Sequence, residues 1–193
     1  MFNNTYSQMP AIETENYILR EVTLDDASDM FEYYKQLEVV KYLPINVHKS
    51  ISDTRRFIKT FFIDNYKKGK IGHFAVVDKF NNKVIGNVGL NNIDKNDTQG
   101  EFGICINPTH WGHDIATELG REVLKFIFNN TNIKTIVANT YEDNKRTRKS
   151  LNNLNFRYYK TYNKKILRGI KITYIKCDSY KIEKSEYMKN YRK

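Results

Sequence analysis

The sequence EFGICINPTHWGHDIATE, Glu101–Glu118, combines a buried strand, a tight turn and the start of a helix. Its apolar first half predicts the strand, Pro108 and Gly112 mark the turn, and apolar residues then recur at helical spacing as far as Phe128. A strand that enters a helix through a glycine-bearing turn presents unpaired backbone N–H groups to an anionic ligand, usually a phosphate. Asp114 carries a negative charge, which would repel an anionic ligand. The stretch therefore predicts an anion site but contains one residue that argues against it.

The composition predicts one globular domain. The chain has 193 residues, of which 40% are hydrophobic and 13% aromatic, enough to bury a substantial core. No apolar run approaches the ~20 residues of a membrane span, and the polar first ten residues lack the apolar segment of a secretory signal. We therefore expect a cytoplasmic protein with no membrane partner.

Metal binding is not expected. Cys105 and Cys177 lie far apart and form no CxxC motif, so neither a zinc site nor a disulfide framework is predicted. His110 and His113 have HxxH spacing, but no third ligand is evident in the sequence. Cys105 is expected to be a small buried hydrophobic residue rather than a reactive thiol.

The net charge of +10 is unevenly distributed. Residues 1–133 carry 15 basic and 17 acidic side chains, a balance of −2, whereas residues 134–193 carry 17 basic and 5 acidic side chains, a balance of +12. A basic half of this kind favours an anionic partner, which would be a nucleotide-bearing cofactor, RNA or an acidic protein surface. The alternative is a solvated, lysine-rich surface without a partner.

The pattern of apolar residues predicts a single α+β domain over residues 14–187, between a loose leader (1–13) and a basic tail (188–193). Six or seven strands and about four helices are expected. The predicted strands are Tyr17–Val22, His73–Asp78, Lys83–Asn91, Glu101–Asn107, Lys134–Asn139, Phe156–Tyr162 and Thr173–Glu183. The predicted helices begin at Thr23, at Ser50 or Ser52, at about Asp114, and at Asp143 or Asn144.

This order of elements resembles the GNAT N-acetyltransferases, and within them the Rim-type branch that acetylates the N-termini of ribosomal proteins. The resemblance covers about residues 14–187 and implies the GNAT (acyl-CoA N-acyltransferase) fold, a mixed, mostly antiparallel sheet flanked by helices. Five segments carry it: YILR (17–20), IGNVG (85–89), WGHDIATE (111–118), NKRT with LNF (144–147 and 154–156) and YKIEKSEY (180–187).

The resemblance implies an acetyl-CoA site around the central turn. Gly112, His113, Ile115, Ala116 and Thr117 match the pyrophosphate loop, in which family members usually have a second glycine where this chain has Asp114. That side chain would either cap the helix, which is the preferred interpretation, or repel the pyrophosphate. The pantetheine would lie along a strand that splays from its neighbour, and the ribose 3′-phosphate would pair with basic residues of the next helix. The corresponding residues here are Ile104, Cys105 and Ile106, with Asn139 opposite them, Asn144 for the pantetheine arm, and Arg148 with Lys145, Arg146 and Lys149 for the phosphate.

The chemistry requires a neutral amine. An α-amine has a pKa of about 7.7–8.0 and lysine about 10.4, so neutral lysine costs roughly 3–4 kcal/mol more at pH 7. Glu101 matches the Rim-type glutamate at the head of the central strand and is the candidate base, although it could be an ordinary strand-end carboxylate. Many GNAT enzymes use a tyrosine at the position of Leu151 to protonate the leaving thiolate. In the Rim-type branch a serine three residues after the asparagine takes that place, which is Thr147 here.

The acceptor is expected to be a protein N-terminus, with possible ribosome association, and the protein a monomer or homodimer. A small amine such as a polyamine or aminoglycoside is the alternative acceptor. It would require acidic residues in the acceptor groove, and those available lie on the first helix (Asp25, Asp26, Asp29, Glu32 and Glu38). A catalytically silent GNAT-fold binding module is also possible, because of Asp114, the missing tyrosine at Leu151, and Asn155 in place of a glycine. An RNA-binding protein has the charge but no recognisable motif.

Overall fold

The computed structural model describes residues 9–69, 71–168 and 171–191. Its strands are β1 Ile12–Glu13, β2 Tyr17–Glu21, β3 His73–Asp78, β4 Lys83–Asn91, β5 Gln99–Ile106, β6 Thr135–Tyr141, β7 Arg157–Arg168 and β8 Lys171–Glu183. The helices are α1 Ala27–Tyr34, α2 Leu37–Val40, α3 Ile51–Phe57, α4 Asp64–Tyr66, α5 Ile115–Asn130, α6 Lys145–Asn153 and α7 Lys184–Tyr191. A π-helical segment, Ile58–Ile63, joins α3 to α4, and short 3₁₀ turns cover Leu24–Asp26 and Pro108–His110. No described helix combines the length and apolar composition needed to cross a membrane.

The strands form one eight-stranded sheet in the order β1-β2-β3-β4-β5-β6-β8-β7. All neighbouring pairs among the described strands are antiparallel except β5 and β6, which are parallel. The predicted α+β class and the mixed, mostly antiparallel sheet are confirmed, with one strand more than the expected six or seven.

The extra strand, β1, lies in the segment predicted to be a loose leader. Ile12 pairs with Leu19 of β2, and the Met9 side chain is buried among the core residues. The prediction of a loose leader is therefore wrong for residues 9–13. These residues are ordered by pairing with β2 and by burial of Met9, and a two-residue strand is too short to show a pattern in the sequence. Residues 1–8 lie outside the described part. At the other end α7 continues past residue 187, and residues 192–193 are not described.

Side-chain caps explain where the first two predicted helices begin. The Asp26 carboxylate accepts a hydrogen bond from the Thr23 backbone N–H at 2.7 Å. Ser50 and Asp53 form a reciprocal capping box, in which Ser50 Oγ accepts from the Asp53 N–H at 3.2 Å and Asp53 Oδ2 accepts from the Ser50 N–H at 3.1 Å. Such caps satisfy N–H groups that a helix cannot pair internally.

The core has two layers, one on each face of the sheet. On one face, α1, α3 and the π-helical segment pack Tyr33, Tyr34 and Phe62 against the β3 residues Ala75 and Val77. On the other face, Leu119 of α5, Leu154 after α6 and Tyr187 of α7 belong to the second layer. They share it with the strand residues Phe74 and Val76 of β3 and Val88 of β4. The alternation of side chains along each strand divides the apolar residues between the two layers.

A gap between β5 and β6 positions the functional site. The two strands pair only at Gln99, Gly100 and Glu101, opposite residues 135–137. Beyond this point β5 stays with β4 as far as Ile106, while β6 stays with β8 as far as Tyr141. The strands therefore diverge after Glu101 and leave a cleft in the middle of the sheet.

Candidate active site

The cleft between the diverging strands has a volume of about 820 Å³. This is within the range of sites that hold small molecules and cofactors. The walls come from β5 and β6, the start of α5, one side of α6 and the chain after α2. Eleven of the fourteen residues proposed from the sequence line it: Glu101, Ile104, Cys105, Ile106, Gly112, Asp114, Ile115, Ala116, Asn139, Asn144 and Thr147.

The turn before α5 presents backbone donors to the cleft. The N–H groups of Thr117 and Glu118 donate to the Asp114 carbonyl, at 2.9 and 3.1 Å. The preceding amides, from Gly112 to Ala116, make no hydrogen bond within the described part of the chain. Gly112 adopts a φ of 93°, a conformation that glycine reaches at little cost. These unpaired amides and the positive end of the α5 dipole make a site for an anion.

Asp114 does not cap α5 in the expected way. It occupies the N-cap position with φ 56° and ψ 17°, but its side chain accepts no hydrogen bond from the helix backbone. Its Oδ1 accepts instead from the Thr117 hydroxyl at 2.6 Å, and Thr117 itself is buried beneath the turn. The capping hypothesis is therefore wrong in its atomic detail. The left-handed backbone explains why glycine suits this position, and aspartate is among the few other residues that tolerate it.

Helix α6 forms the wall of the cleft that faces this turn. The Asn144 side chain caps the helix by accepting from the Thr147 N–H at 3.2 Å, and Thr147 lines the cleft. The Arg146 guanidinium lies 4.4 Å from the centre of the Trp111 ring, and Lys149 also lines the cleft. Trp111 donates from Nε1 to the Ile106 carbonyl at 2.8 Å, so it packs between the turn and β5.

Arg148 lies outside the cleft, contrary to the expectation that it faces the cofactor. Its Nε is 3.3 Å from the Tyr180 hydroxyl and 3.6 Å from Asp178 Oδ2, and another guanidinium nitrogen donates to the Glu142 carbonyl. Successive helical residues are rotated by about 100°, so Arg148 points to β8 while Arg146 faces the cleft. His113 is exposed and also lies outside the lining of the cleft.

Glu101 is fixed at the point where β5 and β6 diverge. Its Oε1 accepts from Asn139 Nδ2 of β6 at 2.8 Å, and its Oε2 accepts from Asn92 Nδ2 at 2.7 Å. Both carboxylate oxygens therefore face donors that hold the side chain at the cleft. Asn92 was not predicted from the sequence; it follows β4 directly and adopts a left-handed φ of 46°.

The middle of β5 supplies an apolar wall. Ile104 and Ile106 belong to the layer under α5, whereas Cys105 points to the layer under α1 and α3. Burial raises the pKa of the Cys105 thiol to about 12, so the thiol stays protonated at neutral pH. This agrees with the expected role of Cys105 as a small hydrophobic residue.

A buried polar row lies behind the floor of the cleft. His73 Nδ1 donates to Asn87 Oδ1 at 3.0 Å, and Asn87 Nδ2 donates to the hydroxyls of Tyr33 and Tyr34. Gly103 lets β5 approach this row closely, because a Cβ on it would stand only 3.0 Å from His73 Cε1. Burial lowers the pKa of His73 to about 4, which keeps the imidazole neutral.

The end of the cleft opposite the turn contains residues that the sequence did not single out. Tyr42, Leu43 and Pro44 line it from the chain after α2, and Tyr141, Lys164 and Cys177 line it from β6, β7 and β8. The rings of Tyr42 and Tyr141 meet edge to face, with centroids 6.2 Å apart. These residues come from positions as far apart as 42 and 177 in the chain, so no local motif could have found them.

The HxxH pair does not form a metal centre. His110 Nδ1 is 2.8 Å from the Thr109 hydroxyl and its Nε2 is 4.0 Å from Asp78. Within residues 9–69, 71–168 and 171–191, no three histidine, cysteine or acidic side chains come together in a way that could hold a metal ion.

Comparisons with known proteins agree with this geometry. Residues 16–157 match the family model of the acetyltransferase (GNAT) domain. The chain belongs to the GNAT acetyltransferase family. It is 30% identical over 148 residues to the uncharacterized N-acetyltransferase p20 of Bacillus licheniformis, a match that covers 77% of this chain and 83% of that protein.

Two solved structures illustrate the shared fold. The ribosomal-protein-S5-alanine acetyltransferase from Vibrio fischeri superposes with a TM-score of 0.77 at 20% identity, over 93% of this chain and 99% of that one. The Microcin C7 self immunity acetyltransferase MccE, in complex with acetyl-CoA and AMP, gives a TM-score of 0.74 at 21% identity, over 88% and 93%. The predicted GNAT fold and family are confirmed.

The protein is therefore an acetyl-CoA-dependent acyltransferase, and its cleft fits that cosubstrate. The unpaired amides of Gly112–Ala116 suit a pyrophosphate, and the basic residues Arg146 and Lys149 line the same cleft. The unpaired edges of β5 and β6 suit the amide groups of a pantetheine arm, which would lie between them and lead to Glu101.

Proposed function

We propose that the protein transfers the acetyl group of acetyl-CoA directly to the α-amine of a protein N-terminus. The observation that carries this proposal is the placement of Glu101 and Thr147. The Glu101 carboxylate is held by two amide donors at the strand junction, and Thr147 faces the same cleft from α6. A base and a hydroxyl donor on two walls of one cleft suit an amine that attacks a thioester placed between them.

Each residue then has a definite role. The backbone amides of Gly112–Ala116 and the Arg146 side chain hold the phosphates, and Ile104, Cys105, Ile106 and Asn139 line the channel for the pantetheine. Glu101 accepts the proton of the amine, directly or through one water. The Thr147 hydroxyl makes no hydrogen bond to the described part of the protein, so it is available to donate to the leaving sulfur. Asn144 fixes the start of α6 and thereby the position of that hydroxyl.

The preference for an α-amine follows from acidity and from the lining of the acceptor end. An α-amine, with its pKa of about 7.7–8.0, needs far less help to become neutral at pH 7 than lysine at about 10.4. The acceptor end offers one carboxylate, Glu101, and one ammonium, Lys164, together with the side chains of Tyr42, Leu43, Pro44, Tyr141 and Cys177. By its name, the Vibrio fischeri neighbour acts on an alanine of ribosomal protein S5. This likeness supports a ribosomal protein as acceptor, met in the cytoplasm. The balance of +12 in residues 134–193 favours approach to the anionic RNA of a ribosome.

A polyamine or aminoglycoside acceptor is disfavoured by the positions of the acidic residues. Asp26 is paired with Arg20 at 2.7 Å, Asp29 accepts from the Val84 N–H, and Glu32 is paired with Lys35. None of the five acidic residues expected to attract such a cation, Asp25, Asp26, Asp29, Glu32 and Glu38, is among the described residues that line the cleft.

A catalytically silent module is disfavoured by the local backbone. Asn155 adopts a left-handed φ of 62° directly after Leu154, the C-cap of α6, and the Phe156 N–H donates to the Leu151 carbonyl, as in a Schellman cap. Asn155 and Asp114 thus replace glycine at two left-handed positions with residues that tolerate this conformation. Leu151 is part of the buried core and has no proton to give to the leaving thiolate. The hydroxyl of Thr147 takes that role in place of the missing tyrosine.

The proposal is tested by mass spectrometry of a peptide that has a free α-amine and an internal lysine. Incubated with acetyl-CoA, the protein should acetylate the α-amine, and steady-state kinetics should show the intersecting lines of a ternary complex. The same peptide with a blocked α-amine serves as the control. Acetylation of the lysine alone, or parallel lines that indicate an acetylated enzyme, would contradict the proposal.

A further inference from the structure

The acceptor end of the cleft carries a positive charge that the transfer reaction itself does not require. We infer that the acceptor bears a carboxylate close to its reactive amine, and that Lys164 binds this carboxylate. This inference rests on the proposed function, because it specifies the class of amine that the same site accepts.

The strand register places Lys164 on the face of the sheet that forms the cleft. Tyr141 of β6 pairs with Cys177 of β8, and Cys177 pairs with Tyr162 of β7. Directly paired residues share a face of a sheet, and so do residues two apart in one strand. Lys164, two residues after Tyr162, therefore lies on the same face as Tyr141, and all three strands contribute to one surface. Lys165, the next residue, points to the opposite face, where it pairs with Tyr174.

Glu101 belongs to the same surface. Its hydrogen bond to Asn139 connects it to β6, and Asn139 lies two residues before Tyr141. Cys177 lies within electrostatic reach of both ends of this surface. Burial raises the pKa of its thiol, the ammonium of Lys164 lowers that pKa, and the carboxylate of Glu101 raises it. An amine that binds at Glu101 thus has the ammonium of Lys164 on the same surface.

Lys164 has no counter-ion within the described part of the chain, although its side chain is half-buried and lines the cleft. The carboxylate on the same surface, Glu101, is held by Asn92 and Asn139, and the other walls at this end, Tyr42, Leu43 and Pro44, offer no charge. Partial removal from water strengthens the attraction of an ammonium for an anion, and a charge-assisted hydrogen bond would compensate its lost hydration. A carboxylate on the acceptor would supply this bond, whereas a second ammonium would be repelled.

The same chemistry could come from an acidic side chain near a protein N-terminus or from the α-carboxylate of a free amino acid. Two sets of probes separate these sources. The first is a series of tetrapeptide amides with one glutamate at the first, second or third position, each matched with its glutamine analogue. The second is alanine compared with alaninamide. Each probe is assayed for kcat/KM with acetyl-CoA and for equilibrium binding in the presence of CoA.

We expect the wild-type protein to prefer at least one carboxylate-bearing probe over its neutral partner by roughly five- to tenfold in kcat/KM. Lys164→Met should abolish this preference, and Lys164→Glu should reverse it in favour of a lysine-containing probe. Lys165→Met is the matched control: it removes a charge from the adjacent residue on the opposite face and should leave the preference unchanged.

Two results would overturn the inference: no preference at any position in the wild-type protein, or a preference that survives in Lys164→Met. Transfer without a preference that depends on Lys164 leaves the proposed function intact and rejects only this inference. Binding that depends on Lys164, without transfer to any amine, would support the inference and reject the proposed function. Better turnover of a polyamine such as spermidine than of any carboxylate-bearing probe would also count against it.

Discussion

The cofactor end of the cleft is formed by the backbone of one turn, Gly112–Ala116, and by side chains of the adjacent helix α6. The acceptor end takes its side chains from five separate segments: Tyr42 after α2, Glu101 on β5, Tyr141 on β6, Lys164 on β7 and Cys177 on β8. Backbone amides bind an anion whatever the side chains attached to them, so the first end tolerates substitution. The second end depends on individual side chains, and we expect single changes there to have the larger effects.

The largest effect is expected from Glu101→Gln at the acceptor end. The amide keeps the size of the side chain but cannot take a proton from the amine. General-base catalysis contributes typically 10²–10⁴-fold, so kcat should fall by roughly 10²- to 10³-fold. Calorimetry should show that the affinity for acetyl-CoA is unchanged, because the cofactor end is intact.

Glu142→Gln, a change at an exposed carboxylate outside the cleft, is the control for this prediction and should leave kcat unchanged. A Glu101→Gln variant that turns over at the wild-type rate with saturating amine would show that Glu101 is an ordinary strand-end carboxylate. In that case the amine would have to lose its proton to solvent or to another group.

The cofactor end could largely be predicted from the sequence because its geometry is local. Pro108, Gly112 and the helical spacing after Asp114 give the order strand, turn, helix, and that order alone places amides at the start of α5. The choice between Arg146 and Arg148 was different, because it depends on the rotation of α6 about its axis. Residues two apart on a helix differ by about 200° in direction. The sequence therefore predicts the correct helix, but Arg146 and not Arg148 lines the cleft.

The acceptor end could not be predicted because tertiary structure assembles it. Lys164 is one of many lysines in a basic segment, and only the register of β7 on β8 separates it from Lys165. The π-helical segment after α3 is a similar case. The sequence predicts one regular helix from Ser50, whereas the extra residue in the π-turn changes the direction of the residues after Phe57 and leaves Phe61 in the wall of the cleft.

A second difference between the two ends is the buried polar row behind the acceptor floor. The pKa of His73 is about 4 in the folded protein, below its ordinary value of 6.5. The unfolded chain therefore binds a proton at a pH where the folded protein does not. The stability that His73 contributes is complete above about pH 6.5 and is lost as the pH falls towards 4, by about 3 kcal/mol in total.

Urea unfolding of the wild-type protein and of His73→Gln across this pH range measures that loss. The variant should lose less free energy of unfolding between pH 6.5 and 4 than the wild type does. His113→Gln, a change at an exposed histidine, should keep the wild-type dependence. Equal slopes for His73→Gln and the wild type would show that His73 titrates normally and that its burial does not control its charge.

At the cofactor end the comparison predicts a smaller effect. Arg146 stacks on Trp111 beside the unpaired amides, so Arg146→Met should raise the Kd for acetyl-CoA by roughly three- to tenfold, an effect that salt reduces. Arg148→Met is the matched control and should leave the Kd nearly unchanged, because the Arg148 guanidinium contacts Tyr180 and Asp178 outside the cleft. A larger loss of affinity in Arg148→Met than in Arg146→Met would reverse the assignment drawn from the helical phase.

The smallest effect is expected at Asp114, the residue that conflicts with an anion site in the sequence. Its carboxylate accepts from the Thr117 hydroxyl, and its left-handed backbone is one that aspartate tolerates. Asp114→Asn keeps the shape, the backbone preference and an acceptor for Thr117, and removes only the charge. Asp114→Gly removes the side chain as well. Both should tighten acetyl-CoA binding by no more than about threefold, because the exposed charge is screened by solvent and salt.

Comparison of the two variants separates charge from backbone. If Asp114→Asn tightens binding at low salt and the gain disappears at high salt, the carboxylate opposes the pyrophosphate weakly and from a distance. If only Asp114→Gly tightens binding, the cost lies in the left-handed backbone. No detectable binding by the wild-type protein together with rescue by either variant would mean that one side chain can disable a site made of backbone amides. The cofactor end would then be as sensitive to single residues as the acceptor end, and the contrast between the two would fail.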